Sequence, residues 1–478
     1  MQFNDKKFCH QMIKIAELKY IHLTGIKGVG MTSLALCLKD LGIEVTGSDT
    51  EEIFVTDEIL AQRKIPWKVG IKAENLSPLP DLVITTGAHG GLENPEAIYA
   101  KEKKVPVITH AEALPLIAEG KDTIAVCGVG GKTTTASMLA VVLDSVNFHP
   151  SFAIGVGNIF PVQTPGRYDK KGRHFICEAD EFAVSPGIDN RPRFSFLSPK
   201  VLIVTNIEHD HPDIYPTIAD TKRAFRNFFE KISPDGLLVA CIDNPNVRSV
   251  IDGLKVPLAT YGTDAKADWQ ITDVSVRNGR SQFVLESKSG VVEDINLKVP
   301  GQYNILNAAA AFVTAHFLGL HNGKTKDGLE SYLGCRRRFE KIGEKNGILI
   351  YDDYAHHPKE IASVLGAAKQ WFPGKRIIAV FQPHTYSRTK ALFEEFAGAF
   401  SDADTVAFMD IYSSAREKDT LGVTSEKLTV ETKKYRPDAN YTGGHAETLR
   451  WIKGNAKPGD VIFTLGAGDI FHLHKELV

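Results

Sequence analysis

The sequence predicts an α/β protein of three domains: a Rossmann-like N-terminal domain, a P-loop central domain with a small antiparallel sheet, and a Rossmann-like C-terminal domain. Three observations lead there. At 478 residues the chain is too long for one ordinary hydrophobic core. Short apolar runs alternate with stretches of helical spacing, the pattern of parallel sheets covered by helices. Acids, histidines and glycines gather just beyond the carboxyl ends of those runs, where open α/β sheets bind ligands. The domains are expected over residues 1–119, 120–334 and 335–478.

Tyr20–Thr24 reads as a strand. It is followed by Gly25-Ile26-Lys27-Gly28-Val29-Gly30-Met31, a helix over Thr32–Leu41, and a second strand, Glu44–Thr46, ending in Gly47-Ser48-Asp49. This is a βαβ start with an acid about 20 residues past the glycines. The spacing is G-x-x-G-x-G, not G-x-G-x-x-G, so Gly25, Gly28, Gly30 and Asp49 fit either a dinucleotide or another nucleotide. Strands at Asp81–Thr85 and Val105–Thr109 complete the first sheet, and Gly120-Lys121-Asp122 serves as a linker.

The central stretch is the most informative. A strand, Thr123–Val126, leads into Cys127-Gly128-Val129-Gly130-Gly131-Lys132-Thr133-Thr134 and a helix over Thr135–Val146. This is the layout of a P-loop, although the usual first glycine of the pattern is missing. Backbone N–H groups of Gly128, Gly130 and Gly131 would cradle phosphate oxygens, helped by the helix N-terminus. Lys132 would reach the terminal phosphates, Thr133 would ligate magnesium, and Thr134 closes the motif. The chain is therefore expected to bind a nucleoside triphosphate. Strand His174–Cys177 ends in Glu178-Ala179-Asp180-Glu181, and strand Val201–Ile207 in Glu208-His209-Asp210-His211-Pro212-Asp213. Carboxylates facing a P-loop can hold the magnesium of the nucleotide.

Gln270–Val276 and Ser281–Leu285 alternate around Asn278-Gly279, a type I′ hairpin signal. Asn304 and Asn307 then lie i,i+3 on an alanine-rich helix, placed either to meet an adenine edge or to cap and pack. From Arg336 a third α/β unit follows. Its strands Ile348–Tyr351, Ile377–Phe381, Val406–Met409 and Val461–Leu465 end in Asp352-Asp353-Tyr354-Ala355-His356-His357, Gln382-Pro383-His384-Thr385-Tyr386-Ser387-Arg388, Asp410 and Gly466-Ala467-Gly468-Asp469. His356, His357 and His384 with Asp353 and Arg388 suggest one binding rim.

Composition excludes several classes. A net charge of -2 without blocks of like charge argues against nucleic-acid or membrane-surface partners. No apolar run approaches a membrane span, and Met1–Leu18 has no signal-peptide core. The six cysteines form no C-x-x-C pair, so reduced core cysteines and a cytoplasmic location are expected. A nicotinamide-dependent oxidoreductase built on the first βαβ is the competing reading, but it would leave the P-loop, Glu178 and His211 without a task.

Taken together, Gly25–Met31 with Asp49, Gly128–Thr134, Glu178–Glu181, Thr205–Glu208 with His211, Asn304-x-x-Asn307, Arg337-Arg338-Phe339-Glu340, Asp352–Pro358, Phe381–His384 and Leu465–Asp469 resemble the Mur ligase family over nearly the whole chain. The resemblance is strongest to its alanine-adding branch and next to its tripeptide-adding branch. It implies an ATP- and Mg2+-dependent enzyme that joins UDP-N-acetylmuramate to L-alanine, or to a short peptide, through an acyl phosphate in cell-wall synthesis. It further implies that Thr133, Glu178 and His211 hold magnesium, that Asn304 and Asn307 meet adenine, and that Arg338 and Asp353 reach the nucleotide. His356, His384 and Arg388 would serve the incoming substrate, and Lys132, Glu178, His211 and Arg388 the chemistry. A monomer or homodimer is expected. Four departures from the family pattern stand out: Lys27 in the first glycine loop, Gly130 where His or Asn is usual, the long Phe182–Ser198 segment, and Thr385 where Arg is usual in the alanine-adding branch.

Overall fold

The computed structural model describes residues 13–211, 214–277, 279–413, 417 and 419–478. The turn expected at Asn278, the run to Asp213, Cys9 and most of Met1–Leu18 fall partly or wholly outside them. Among the described residues three main sheets form, of five, ten and six strands.

The five-stranded sheet is parallel throughout, in the order Trp67–Val69, Glu44–Asp49, Tyr20–Thr24, Leu82–Thr85, Val107–Thr109. The central sheet is mixed. Leu258–Gly262, Leu237–Cys241, Val201–Val204, Asp122–Cys127, His174–Glu178 and Ser151–Ala153 run parallel, and Gly166–Arg167 closes one edge antiparallel. Trp269–Arg277, Arg280–Ser287 and Val292–Leu297 extend the other edge. The last sheet runs Glu340–Lys345, Ile348–Asp353, Val461–Leu465, Ile377–Phe381, Thr405–Met409, Ala439–Gly443, with only the first pair antiparallel. Inner strands such as Val201–Val204 and Ile377–Phe381 are continuous apolar runs and are buried along their length. Sheets covered on both faces require that pattern.

By compactness the chain divides into two units. One comprises the described residues up to Thr272 with Val284–Ile295 and Leu306–Tyr332; the other comprises Asp273–Phe283, Asn296–Ile305 and Leu333–Val478. In the first, one apolar core runs from Ile21 and Leu34 to Phe225 and Phe228, and Leu76, Val83 and Ala100 form a smaller separate cluster. In the second, Phe381, Phe408 and Phe463 pack one face of the sheet, and Ile350, Ile378 and Ile462 the other.

Two element boundaries differ from expectation in ways that matter. The strand expected over Val201–Ile207 stops at Val204, which frees Thr205 and Asn206 to turn toward the P-loop. The strand expected to end at Tyr351 runs on to Asp353, so Asp352 and Asp353 are buried sheet residues. No helix among the described residues is long and apolar enough to cross a membrane. The described cysteines are buried, and no disulfide joins them.

Candidate active site

The P-loop links the strand Asp122–Cys127 to the helix Lys132–Ser145. Gly128, at φ +129°, passes so close to the second strand end that a Cβ there would lie 2.2 Å from Thr205 Oγ1. Gly131, at φ +87°, brings the turn against Asn307, whose Oδ1 also accepts a hydrogen bond from Thr135 (3.1 Å). Only glycine meets both the backbone conformation and the close approach.

Between them, Gly130 is clamped. Its N–H donates to Asn206 Oδ1 (2.9 Å), while Asn206 Nδ2 donates back to its carbonyl (2.9 Å), and Thr205 Oγ1 donates to that carbonyl as well (2.6 Å). One carboxamide thus pairs with a whole peptide group. The departure at Gly130 costs the loop no order, because the bracing comes from the neighbouring strand end.

Lys132 donates to Gly128 O (2.6 Å) and to Glu181 (2.9 and 3.2 Å). Burial opposes its charge, but Glu181, Asp180 and Glu178 outweigh this and raise its pKa, so the ammonium is retained. Glu181 is 3% exposed; burial pushes its carboxyl up to about 7, with Lys132 opposing and Asp180 adding. For Asp180 burial is outweighed by Arg193 and Lys132, which hold it below the usual range; Arg193 Nη1 lies 3.1 Å away. Thr133 Oγ1 donates to Glu178 Oε2 (2.9 Å), and the Gly155 N–H donates to Oε1 (2.7 Å). Glu178 therefore has two neutral donors beside it and an oxygen pair suited to a hard cation. His211, at φ +57°, stands against the Phe182 ring (4.5 Å between centroids) and Asp210.

A cavity of about 220 Å³ opens beside this loop. Lys132, Glu178 and Asp180 line one side. Gly30 and Ser33, from the first turns of the helix Val29–Leu41, line another, with His110 and Arg193 completing the polar wall. His110 opens a helix capped by a reciprocal Thr109–Glu112 box. Burial, then nearby Arg193, lowers its pKa to about 4, so at neutral pH it is a neutral imidazole. The long segment after Glu181 forms the pair Ala183–Ser185 and Asp189–Pro192. It sits against the 86–91 loop so closely that a Cβ on Gly87 would meet Val184 O at 2.3 Å. The same segment carries Arg193 to the cavity wall.

In the first glycine loop, Asp49 is 1% exposed and accepts from the Lys27 N–H (2.7 Å) and the Thr50 N–H (2.7 Å). Its carboxylate holds the loop in shape. Lys27 folds inward, its Nζ 3.3 Å from Asp57 and over the rings of Trp67 (4.3 Å) and Phe54 (5.0 Å). The departure at this position is therefore buried under the loop. Gly25, at φ +76°, turns the chain beside Thr86. Gly28 caps the helix Val29–Leu41.

In the second unit, Arg337 takes the buried place: it donates to Asp352 (2.8 Å), Gly466 O (2.6 Å) and Gly468 O (3.2 Å). Arg338 stacks on Tyr354 (5.3 Å). Asp353 accepts from the N–H groups of Phe339 (2.7 Å) and Ala355 (2.8 Å), and burial raises its pKa to about 6. His356, His384 and Tyr412 follow one another ring to ring (6.3 and 5.7 Å), and Arg388 Nη1 lies 3.4 Å from His384 Nδ1. The His357 ring caps the helix Pro358–Trp371. Asn304 and Asn307 share the helix Gln302–Phe317 and are both buried, Asn304 donating to Pro300 O (2.7 Å).

Sequence reasoning left His110, Arg193 and Asn206 without roles, and gave Glu181 none beyond its motif. His110 had a local signal in its capping box. Asn206 lay inside the Thr205–Glu208 motif but acts on a loop 76 residues away, while Arg193, which pairs with Asp180 13 residues back, carried no signal of its own.

Three family models match consecutive parts of the chain: the Mur ligase family catalytic domain over residues 20–122, the Mur ligase middle domain over 126–315, and the Mur ligase glutamate ligase domain over 337–468. The UDP-N-acetylmuramate–L-alanine ligase of Geotalea uraniireducens is 37% identical, with 97% of this chain and 98% of the relative covered. That of Caldanaerobacter subterraneus is 36% identical, with 98% of each covered. Among solved structures, the UDP-N-acetylmuramate-alanine ligase of Thermotoga maritima matches with a TM-score of 0.80 at 29% identity, covering 96% of this chain and 98% of the other. A murein peptide ligase from Psychrobacter arcticus shares the fold, with a TM-score of 0.71 at 24% identity and coverage of 96% and 98%. With a three-domain α/β architecture and full-length relatives at this identity, the chain belongs to the Mur ligase family.

Proposed function

We propose that the chain joins the lactyl carboxylate of UDP-N-acetylmuramate to the amine of L-alanine, converting ATP to ADP and phosphate, in the cytoplasm during peptidoglycan synthesis. One observation carries the reading. The cavity beside the P-loop is lined both by Gly30 and Ser33 of the first glycine-loop segment and by Lys132 and Glu178 of the second. A substrate held by the first loop can there present a carboxylate to a phosphoryl group held by the other.

The assignment of parts follows. Residues 1–119 bind the UDP-sugar through Gly25, Gly28 and Gly30, with Asp49 supporting the loop. Residues 120–334 bind ATP through Gly128–Thr134, and 335–478 bring the amine. Asn304 and Asn307 meet adenine; Arg338 and Asp353 serve the nucleotide. The oxygen donors of Thr133 and Glu178, with His211 as a further ligand, fit magnesium, which when bound neutralises phosphate charge.

A carboxylate oxygen attacks the γ-phosphorus, and the bond to the bridging oxygen breaks, its electron pair leaving with ADP. The amine nitrogen adds to the acyl carbon, loses a proton, and the tetrahedral adduct expels phosphate. An anion approaching a phosphoryl group is opposed electrostatically, so cationic groups must surround the meeting point. Lys132 supplies one by exchanging Glu181 and Gly128 O for phosphate oxygens. Arg193 and neutral His110 suit the substrate side, as a charge and a polar ring on the cavity wall. For the amine, Arg388 beside His384 fits the carboxylate of one amino acid through a forked hydrogen bond. The Phe182–Ser198 segment brings Arg193 to the cavity wall, and its length, with Thr385, remains the argument for a peptide substrate.

The test measures phosphate release from ATP with UDP-N-acetylmuramate and either L-alanine or L-alanyl-γ-D-glutamyl-diaminopimelate. Release of ADP and phosphate only when sugar nucleotide and L-alanine are both present is expected. Faster turnover with the tripeptide at equal concentration would move the chain to the tripeptide-adding branch. AMP and pyrophosphate would overturn the acyl phosphate itself.

A further inference from the structure

The C-terminal unit carries a second cluster of ligand atoms that the ligase reading does not use. His445 opens the helix His445–Asn455, Asp469 follows the strand Val461–Leu465, and His472 lies on the turn Ile470–Leu473. Each offers one ligand atom, and these atoms lie within 4.8 Å of one another, all half-buried. His445 Nε2 is 3.4 Å from Asp469 Oδ1, and the two imidazole centroids are 6.0 Å apart.

These spacings fit a metal. Ligand bonds of about 2.0–2.2 Å arranged tetrahedrally put ligand atoms about 3.3–3.5 Å apart. The His445–Asp469 pair is already there, and the third atom needs only a side-chain rotation. The carboxylate is also oriented from behind. Gln382, 4% exposed, donates from Nε2 to Asp469 Oδ1 (2.6 Å) and is itself fixed by the Ile470 N–H (3.1 Å). A buried group that aims a ligand is the usual companion of a metal site. Two imidazoles and one carboxylate select zinc-class transition metals over magnesium, which takes oxygen ligands.

We propose that His445, Asp469 and His472 bind one divalent transition metal of the zinc class, distinct from the magnesium of the nucleotide, with an open fourth position. The metal ties the helix His445–Asn455 to the Gly466–Asp469 loop. Arg337 already holds that loop by its Gly466 and Gly468 carbonyls.

The test uses the full chain, stripped with chelator and titrated with zinc chloride by calorimetry in excess magnesium, then with cobalt chloride by visible absorption. One saturable zinc per chain, a tetrahedral cobalt spectrum and a raised melting temperature are expected. His445→Ala and His472→Ala, at partly exposed positions, should each lose the site. Gln382→Ala should weaken it about 10–100-fold. Should a histidine variant misfold by circular dichroism, Asp469→Asn supplies the same readout. Zinc binding unchanged in the His445→Ala/His472→Ala double variant, or zinc binding displaced by magnesium, would overturn the proposal.

Discussion

Replacing Asn206 by alanine should weaken ATP binding while leaving the sugar-nucleotide side intact. The side chain donates to and accepts from the Gly130 peptide at 2.9 Å each. Each hydrogen bond contributes about 1 kcal/mol net. Thr205 Oγ1 still donates to Gly130 O at 2.6 Å, so that end is partly covered. The unshared loss is the acceptor for the Gly130 N–H. The net effect is then about 1–2 kcal/mol, or about 5- to 30-fold in Kd for ATP. The mechanism is preorganisation: without the clamp the loop must be ordered at the moment of binding, and affinity falls by that cost. Calorimetric titration of the variant with a non-hydrolysable ATP analogue and magnesium reads the effect. A parallel titration with UDP-N-acetylmuramate is the control, since Asn206 does not line the cavity. A change in ATP affinity below about twofold would refute the clamp. Equal weakening of both ligands would show general damage to the fold instead.

Three further outcomes are expected. Gly128→Ala, which drives a Cβ to 2.2 Å from Thr205 Oγ1 at φ +129°, should abolish ATP binding, whereas Gly130→Ala, whose Cβ would have Asn206 Nδ2 at 3.6 Å as its nearest neighbour, should change stability by no more than about 0.5 kcal/mol; melting curves and ATP titrations of both variants check the contrast. Lys132→Ala and Glu178→Ala should each lower kcat by about 10²–10³-fold or more, while Kd for UDP stays within about threefold of the parent; loss of UDP binding in both would break the division between the loops. Asp353 has a folded pKa of about 6 against 3.8, so its favourable contribution is fully present below pH 3.8 and is lost as pH rises through 6, about 3 kcal/mol in all. The melting temperature of the parent relative to Asp353→Asn should therefore fall between pH 4 and 7, and a flat difference would contradict it.

The sequence alone determined what is contiguous. The strand–glycine turn–Lys132-Thr133–helix unit is contiguous over residues 122–145, because phosphate binding by backbone amides needs only a local turn. The inner strands were readable because burial on both faces demands unbroken apolar runs, as at Ile377–Phe381 and Val461–Leu465. Strand ends near functional residues were the less readable places. Val201–Val204 stops early because Thr205 and Asn206 find their partners on the P-loop, 75 and 76 residues back.

Tertiary structure decided how charged side chains are used. Asp49, expected at a strand end to meet a ligand, also accepts from the Lys27 and Thr50 amides and so holds the glycine loop. Lys27, an interruption in a glycine loop, became a buried cation between Asp57 and two aromatic rings. Arg193 and His110 come to one cavity from separate segments, and His445 comes to Asp469 from 24 residues back. Burying a charge requires a partner, and a partner distant in sequence leaves no local pattern. Periodicity and turn chemistry therefore reveal which backbone forms, while the pairing of ionised groups is known only once the sheets have brought their ends together.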